Sequence, residues 1–409
     1  MNAKPYDIVI FGATSFVGQI VCRYLAQQLG FNGAVRWAAA GRSPQKLWAL
    51  RESLGVGEAL LPAEIADAGD EAALAAMCAK TRAVVSTVGP YALYGEPLVK
   101  VCAETGADYC DLTGEPDWIR RMISLYEAKA KGSGARIVHC CGFDSIPSDL
   151  GVHFLQREAK ARFGRPCFHV KMRVKAIRGG VSGGTIASML NAVKDAAANS
   201  ALRRDLANPY ALCPADNAPK VRQDSNSSPG FDPDFDAWRA PFVMAPVNTK
   251  IVHRSNALSH YAYGADFRYD EAMLTGQGMN GRAKAYAIAS ALGAFVAASA
   301  IPPVRWGLGK VLPSPGEGPP PEARKKGFYD LRFLGKTVDG DTIRAKVAGD
   351  ADPGYGSTAK ILGEAALRLA ALDKAGKPGG FWTPASIFGD ALIEALRERA
   401  GVTFELLER

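Results

Sequence analysis

A glycine-containing turn near the start of the sequence could bind a nucleotide phosphate. The stretch FGATSFVG, residues 11–18, follows the apolar run DIVIF and precedes apolar side chains at helical spacing. Gly12 and Gly18 occupy the first and last glycine positions of a dinucleotide-binding turn, and Ser15 replaces the middle glycine. Serine is small, caps helices well and could donate its hydroxyl to a phosphate, so the turn should still bind at the helix N-terminus. The residues predicted to contact the cofactor here are Gly12, Ala13, Thr14, Ser15, Phe16, Val17 and Gly18.

The end of the second predicted strand indicates which dinucleotide is bound. The strand ends in AAAGRS, which places Gly41, Arg42 and Ser43 where an NAD site would carry an acidic residue. An arginine guanidinium instead suits the 2′-phosphate of NADP(H), and the serine hydroxyl can add a hydrogen bond. The alternative is that Arg42 is an ordinary surface side chain in a loop. We predict NADP(H) as the cofactor.

A second candidate cofactor segment follows the fourth predicted strand, in VVSTVGPYALYG. Its small residues suit a chain that passes under a ribose or nicotinamide, at the strand ends where ligands bind in such sheets. The cofactor residues predicted here are Ser86, Thr87, Val88, Gly89, Pro90 and Tyr91.

These motifs require a parallel sheet to position them. Short β-rich runs alternate with amphipathic segments through the first 150 residues, which predicts an α/β fold with a Rossmann-type doubly wound parallel sheet. The strand runs are 7–11, 35–40, 58–65, 83–88, 108–112 and 136–141. We expect residues 1–150 to form the NADP-binding domain.

The pattern changes after residue 150 and predicts a second, inserted α+β substrate domain over residues 151–355. Antiparallel strands are expected at 263–269, 327–337 and 341–349, after a strand at 168–177 and a helix at 184–206. Residues 207–247 read as long loops, and residues 312–326 as a linker rich in proline and glycine. The last helices, within about 356–409, are expected to pack back on the first domain.

Composition restricts the class of protein. The chain has 409 residues, 48% of them hydrophobic, and a formal charge of +8 that suits an anionic partner. The positive charges are scattered, so we expect no nucleic-acid partner. Eight cysteines without a C-x-x-C pair and five isolated histidines predict no metal site, and free thiols suit the cytoplasm.

One segment, residues 285–304, is free of charge and rich in alanine and serine. A buried helix or the wall of a greasy substrate pocket is one interpretation. Peripheral contact with a membrane or lipid surface is the other, because a membrane span needs roughly 20 strongly apolar residues and this segment is weakly apolar.

The chain resembles the saccharopine dehydrogenase-like oxidoreductases, in the branch of trans-acting enoyl reductases. The resemblance covers nearly the whole chain and is carried by FGATSFVG, AAAGRS, STVGPYALYGEPLV, DYCDLTGE, CGFDSIPSDLG, APVNTKIVHRSNAL, GYGSTAKILGEAALRLA and GGFWTPASIFGDALI. It implies a two-domain, NADPH-dependent oxidoreductase that reduces a carbon–carbon double bond in an acyl or polyketide-derived lipid substrate, either small or carrier-bound.

Such a reaction needs a proton donor beside the hydride donor. The catalytic candidates are Tyr91, Asp144 and Ser145. Tyr91 could donate to an enolate oxygen or form a shelf for the nicotinamide. Asp144 could be an acid with a raised pKa in an apolar pocket, or could cap the following helix or fix the loop.

Other polar residues near the strand ends suggest structural roles. Cys140 and Cys141 suggest packing at the end of a strand, and Asp111 and Glu115 suggest loop fixing and helix capping.

Two other functions remain open at this stage. A saccharopine-type amino-acid oxidoreductase binds a substrate with several carboxylates, so its pocket would need arginines such as Arg173, Arg178 and Arg254 to converge. A non-catalytic NADP-binding protein at a lipid surface would expose residues 285–304. A homo-oligomer is expected in each case.

Overall fold

The computed structural model describes residues 4–179, 183–311 and 318–408. Its strands are β1 Tyr6–Phe11, β2 Trp37–Gly41, β3 Ala63–Ile65, β4 Thr81–Ser86, β5 Asp108–Asp111, β6 Arg136–Val138, β7 His169–Arg178, β8 Gly230–Asp232, β9 Ala237–Ala240, β10 Arg268–Gly276, β11 Phe328–Lys336, β12 Thr342–Gly349, β13 Gly380–Trp382 and β14 Val402–Leu407.

The helices alternate with these strands in the first third of the chain and cluster after it. They are α1 Phe16–Leu29, α2 Pro44–Leu54, α3 Glu71–Ala79, α4 Tyr91–Tyr94, α5 Glu96–Thr105, α6 Pro116–Ser133, α7 Ile146–Phe163, α8 Gly183–Ala198, α9 Ser200–Ala207, α10 Ala245–Leu258, α11 Gly278–Ala300, α12 Pro302–Val311, α13 Pro321–Lys325, α14 Thr358–Ala371, α15 Pro384–Phe388 and α16 Asp390–Ala395.

The first sheet has the strand order β3-β2-β1-β4-β5-β6-β13 and is parallel throughout its described pairs. The order reverses between β1 and β4, which is the switch point of a dinucleotide-binding fold. Helices cover both faces, so a central strand such as β2, WAAAG, is buried at every residue and shows no alternation. The predicted doubly wound parallel sheet is confirmed.

The last fifty residues divide between the two sheets. Helix α14 packs against α1, β4 and β5, and β13 extends the first sheet by pairing with β6. Strand β14 instead pairs with β12 in the second sheet. The prediction that the end of the chain packs on the first domain is therefore correct for α14 and β13. It is wrong for β14, which belongs to the second sheet.

The second sheet has the order β14-β12-β11-β7-β10-β9-β8. Its pairs are antiparallel except for β7 with β10, which run parallel. Helix α7 leaves the first sheet and packs on β11 and β12. The contact is close at Gly151, where an added Cβ would lie 2.4 Å from Phe333 Cζ, so a side chain there would separate helix and sheet.

Several element predictions in the second half need correction. The strand expected at 263–269 begins only at Arg268, and it pairs in parallel with β7. The helix expected at 184–206 is two helices, and the expected loops at 207–247 contain β8, β9 and the start of α10. In the expected linker 312–326, residues 312–317 lie outside the described residues, whereas Pro321–Lys325 form α13.

The apolar segment 285–304 is not a buried helix. It lies in α11 and the start of α12, and only 11% of the residues in the most apolar stretch of α11 are buried. Within the described ranges, α11 is long and apolar enough by composition to cross a membrane. Its exposure contradicts the interpretation as a core helix.

Candidate functional site

The turn between β1 and α1 has the geometry of a phosphate-binding site. Ser15 caps α1, because its hydroxyl oxygen accepts a hydrogen bond of 2.9 Å from the Gly18 N–H. The backbone N–H groups of Thr14, Phe16 and Val17 have no hydrogen-bond partner among the described residues. Free N–H groups at a helix N-terminus, with the positive end of the helix dipole, bind anions.

Both glycines of the turn are required because a side chain at either position would collide with neighbouring atoms. Gly12 has φ of +84°, and an added Cβ would lie 2.7 Å from Thr87 Oγ1 and 2.7 Å from Val88 Cγ2. An added Cβ on Gly18 would lie 2.1 Å from the Gly12 carbonyl oxygen, so only glycine lets α1 approach the strand. The turn thus brings the two predicted cofactor segments, 12–18 and 86–91, into contact.

The Ser15 hydroxyl is fully engaged within the protein. Thr87 Oγ1 donates to the Gly12 carbonyl oxygen at 2.9 Å, so the 2.9 Å contact between Ser15 and Thr87 is donated by the Ser15 hydroxyl. That hydroxyl also accepts from Gly18. The expected hydrogen bond from the Ser15 hydroxyl to a phosphate is therefore not available, and Ser15 acts by fixing the shape of the turn.

The end of β2 presents an exposed arginine beside this turn. The Arg42 side chain is 83% exposed, and its nearest carboxylate is Asp67 at 3.9 Å, a weak surface pair. Ser43 caps α2 by accepting from the Lys46 N–H at 3.3 Å. The guanidinium is thus free to meet an anion, whereas the Ser43 hydroxyl already has a structural partner.

Tyr91 does not have the geometry of a proton donor to substrate. Its side chain is buried, and its hydroxyl donates to the Ser86 carbonyl oxygen at 2.9 Å. Burial and the neighbouring Asp111 raise the pKa of Tyr91 well above its usual value. The ring packs against Trp118 at 5.5 Å between centroids. The phenol therefore holds the loop after β4 in place.

The acidic residues at the end of β5 and in the loop after it have the expected structural roles. Glu115 accepts from the N–H groups of Tyr91 and Ala92 at 3.0 and 2.8 Å and so caps α4. Asp111 accepts from the Thr113 and Cys140 N–H groups, both at 3.1 Å, and fixes the ends of β5 and β6.

The two cysteines after β6 are packing residues. Cys140 and Cys141 are buried, and burial raises the pKa of each thiol well above its usual value. Both therefore remain protonated and poorly nucleophilic.

Asp144 differs from the other candidates because its carboxylate is free. It is half-buried after β6, and it has no hydrogen-bond partner among the described residues. Burial raises the pKa of Asp144 to about 6. An added Cβ on Gly114 would lie 4.0 Å from Asp144 Oδ2 and 3.5 Å from Met244 Cε, so the carboxylate lies where the first sheet meets the helix α10 region. The helix-capping alternative is not observed.

Ser145 belongs to a buried polar network between the two sheets. Its hydroxyl donates to Asn248 Oδ1 at 3.0 Å, and Asn248 Nδ2 donates to Ser148 Oγ at 3.2 Å and Glu271 Oε2 at 3.0 Å. Tyr269 also donates to Glu271, at 2.7 Å. Ser145 is therefore a structural neighbour of Asp144, and its predicted catalytic role has no support in this geometry.

Sequence reasoning missed a basic residue over the nucleotide turn. The Arg324 guanidinium on α13 lies 5.4 Å from the Phe16 ring centroid, and Tyr355 packs edge-on against the same ring at 4.7 Å. The short basic run ARKKG contained this residue, but nothing in the sequence connects it with residues 12–18. Arg324 adds a positive charge beside the free N–H groups of the turn.

The arginines required by an amino-acid oxidoreductase do not converge. Arg173 pairs with Asp232 at 2.6 Å and Asp270 at 2.7 Å on the second sheet. Arg254 donates to the carbonyl oxygens of Leu212 and Phe381. Arg178 lies exposed at the end of β7.

One His/Asp group has ligand atoms close together. His169, Asp224 and Asp270 offer ligand atoms within 4.8 Å of one another. Burial alone would raise the pKa of Asp270, but hydrogen bonds from His169 and Arg173 outweigh it and lower the pKa to about 2. The Arg173 charge already neutralises this carboxylate, so the group reads as an ion-pair network.

The residues of the first sheet fit an NADP molecule. The tight glycine turn and the three free N–H groups suit a pyrophosphate, and the exposed Arg42 suits a 2′-phosphate. No acidic residue occupies the first turn of α1, where it would repel a phosphate.

Comparison with known proteins supports this reading. Residues 8–138 match the saccharopine dehydrogenase NADP-binding domain. Rv2449c of Mycobacterium tuberculosis, whose name provisionally assigns it as a trans-acting enoyl reductase, is 42% identical over 99% of both chains. Proteins named trans-acting enoyl reductase in Mycobacterium ulcerans and Mycobacterium bovis are 37% and 38% identical, each over 96% of both chains.

Solved structures show the same fold. Apo saccharopine dehydrogenase (L-Glu forming) of Saccharomyces cerevisiae covers 98% of this chain and 99% of its own, with a TM-score of 0.55 and 14% identity. Homospermidine synthase of Legionella pneumophila, in complex with NAD, covers 99% and 92%, with a TM-score of 0.53 and 10% identity. Identity this low shows the fold alone. Together with the family match and the relatives above, the chain is an NADP-binding oxidoreductase that belongs to the family of trans-acting enoyl reductases, within the saccharopine dehydrogenase-like group.

Proposed function

We propose that this protein reduces the carbon–carbon double bond of an enoyl group in an acyl or polyketide-derived lipid substrate, with NADPH as the reductant. The names of the mycobacterial relatives support the reaction class. The observation that carries the proposal for this chain is the free carboxyl group of Asp144 at the end of β6. Ligands in doubly wound sheets bind at these strand ends.

Bound NADPH would supply the hydride to the β-carbon of the enoyl group. The protein must then supply a proton to the α-carbon or to the enolate oxygen. Asp144 can hold that proton, because burial raises its pKa to about 6 and no partner among the described residues competes for it. General acids with a pKa near the working pH are effective catalysts.

Cofactor binding is assigned to three groups of this chain. The free N–H groups of Thr14, Phe16 and Val17 would hold the pyrophosphate, with Arg324 beside them, and Arg42 would hold the 2′-phosphate. Ser15 and Thr87 would keep the turn in shape without contacting the cofactor.

The saccharopine-type alternative has less support, because Arg173 and Arg254 are saturated by other partners. A non-catalytic NADP-binding protein would have no need of an unpaired carboxylate with a raised pKa in the loop after β6. The positive net charge of +8 suits an acidic carrier protein that presents the acyl chain. We also place the protein in the cytoplasm, since all eight cysteines are free thiols.

The test is NADPH oxidation by the purified protein with a panel of enoyl thioesters and saccharopine-type imines. We expect turnover of enoyl thioesters with formation of the saturated acyl product. Turnover of the imines alone would contradict the proposal. NADPH binding without turnover of any enoyl thioester, free or carrier-bound, would favour the non-catalytic alternative.

A further inference from the structure

Helices α11 and α12 form an exposed apolar projection from the second sheet. The first turns of α11 are fixed to the sheet, since the Thr275 hydroxyl donates to the Gly281 carbonyl oxygen at 2.8 Å. The Arg282 guanidinium also lies over the Trp238 ring at 5.4 Å. With 23 residues, α11 extends about 34 Å, and most of that length is exposed. An exposed apolar surface of this size in a soluble protein marks an interaction site.

The apolar character continues through the corner into α12. Ile301 is 52% exposed and Trp306 is 67% exposed, and both follow the last turn of α11. The corner itself is held by a hydrogen bond of 3.0 Å from Arg305 Nη1 to the Ser299 carbonyl oxygen. The described residues therefore present large apolar side chains on a fixed turn at the far end of the projection.

The charges that the projection itself carries all have one sign, and Asp236 on the second sheet lies near its base, where it accepts from the Gln277 side chain. Residues 272–316 contain no aspartate or glutamate, but they contain four basic residues. These are Arg282, Lys284, Arg305 and Lys310. The Lys310 ammonium lies 3.6 Å from the Trp306 ring centroid, so a cation and an amphipathic aromatic ring lie together at the tip. Exposed tryptophan beside basic residues is typical of segments that enter a lipid headgroup layer.

We propose that the projection formed by α11 and α12 binds in the interface of an anionic lipid bilayer. A second copy of the chain is a poorer partner, because a two-fold interface would place the four cations against the same four cations. A full membrane span is also a poorer fit, because α11 is dominated by alanine, glycine and serine. Anionic headgroups neutralise the cations while the acyl region receives Ile301 and Trp306.

A cavity at the base of α11 lies on the same side of the second sheet. Its volume is about 660 Å³. The lining includes the apolar Phe235, Leu274 and Ile288 and the charged Lys175, Asp236 and Lys284. The cavity therefore lies at the opposite end of α11 from Ile301 and Trp306.

The test is co-sedimentation of the full chain with phosphatidylcholine vesicles and with vesicles that also contain phosphatidylglycerol. We expect binding to the anionic vesicles, weaker binding to the neutral ones, and loss of the difference at high salt. Trp306→Glu and Ile301→Glu should each lower binding more than tenfold. The matched control is Trp48→Glu, since Trp48 is 59% exposed on α2 and should not affect binding.

A second pair of variants tests how much the basic residues contribute to vesicle binding. Lys284→Gln with Lys310→Gln should weaken binding to anionic vesicles by about 25-fold, because each basic residue near such a surface contributes about fivefold. Lys160→Gln with Arg162→Gln, two exposed residues on α7, should leave it unchanged.

NADPH binding serves as the folding control for every variant, because the cofactor turn lies on the first sheet. A wild-type protein that binds NADPH but sediments with neither vesicle would overturn the proposal. Equal binding to neutral and anionic vesicles, or a dimer abolished by Trp306→Glu in the absence of lipid, would also overturn it.

Discussion

The Ser15 hydroxyl oxygen lies 2.9 Å from the Thr87 hydroxyl oxygen and joins the nucleotide turn to the end of β4. The Thr87 hydroxyl in turn donates to the Gly12 carbonyl oxygen. The Ser15 hydroxyl oxygen caps α1 by accepting from the Gly18 N–H. A serine at this position therefore stabilises the turn from within the protein.

This relationship predicts coupled effects on stability. Ser15→Ala should lower the free energy of unfolding by about 1 kcal/mol through loss of the helix cap. Thr87→Val should also lower the free energy of unfolding. In the double variant the loss should be smaller than the sum of the two single losses, by about 0.5 kcal/mol or more. Denaturant unfolding measures all three. Ser43→Ala, which removes the cap of α2, is the control, and its effect should add to that of Thr87→Val.

Arg42 should determine the preference for NADPH over NADH. Arg42→Gln removes a charge-assisted contact with the 2′-phosphate, so affinity for NADPH should fall by roughly 10-fold to 100-fold while affinity for NADH stays constant. Fluorescence titration of both cofactors gives the ratio. Arg36→Gln, another exposed arginine of the first sheet, should change neither value. Equal losses for the two cofactors would show that Arg42 does not bind the 2′-phosphate.

Arg324 should act on both cofactors alike, because it lies beside the turn that holds the pyrophosphate. Arg324→Gln should lower the affinities for NADPH and for NADH by a similar factor of about 10. The neighbouring Lys325→Gln is the control, since that side chain is 75% exposed and pairs with Glu322 on the same helix. An unchanged affinity in Arg324→Gln would limit this residue to packing on Phe16.

Asp144 should carry the proton of the reaction. Asp144→Asn should lower kcat by about 100-fold or more, with little change in NADPH affinity. Since the acid form is required and its pKa is about 6, wild-type kcat/KM should be highest below pH 6 and fall as the pH rises above it. The residual activity of the variant should lose this dependence. Asp339→Asn, at an exposed ion pair with Arg165, is the control.

The buried network at Glu271 predicts an unusual dependence of stability on pH. Burial raises the pKa of Glu271 to about 7, above the value of an unfolded glutamate. The folded state then binds more protons than the unfolded state between about pH 4 and 7, so stability falls as the pH rises through this window. Between pH 5.5 and 7.5 the ionisation of Glu271 should lower the free energy of unfolding by about 2 kcal/mol.

Glu271→Gln provides the comparison for that dependence. The variant cannot ionise, so its free energy of unfolding should vary less between pH 5.5 and 7.5 than that of the wild type. Chemical denaturation at both pH values measures the difference. Asp149, whose pKa burial also raises to about 7, remains in the variant, so part of the dependence should persist. An equal slope in both proteins would contradict the assignment to Glu271.

The sequence by itself determined the parallel sheet and the nucleotide turn, and it supplied Arg42 as the candidate for the 2′-phosphate, which stays a prediction. These features rest on contiguous residues: the glycines at 12 and 18 act within one turn, and Arg42 directly follows the strand that positions it. Local patterns also identified Asp111 and Glu115 as structural, but their partners Cys140, Tyr91 and Ala92 lie in other loops.

Only the tertiary structure decided which polar groups are free. Tyr91 and Asp144 were both candidate proton donors, but the Tyr91 hydroxyl donates to the Ser86 carbonyl oxygen, whereas Asp144 keeps an unpaired carboxylate. Arg324 reaches Phe16 from the far end of the chain, and α11 is largely exposed although α8, β9 and β10 contact it. A side chain's partners come from distant segments, and periodicity along one segment carries no information about them.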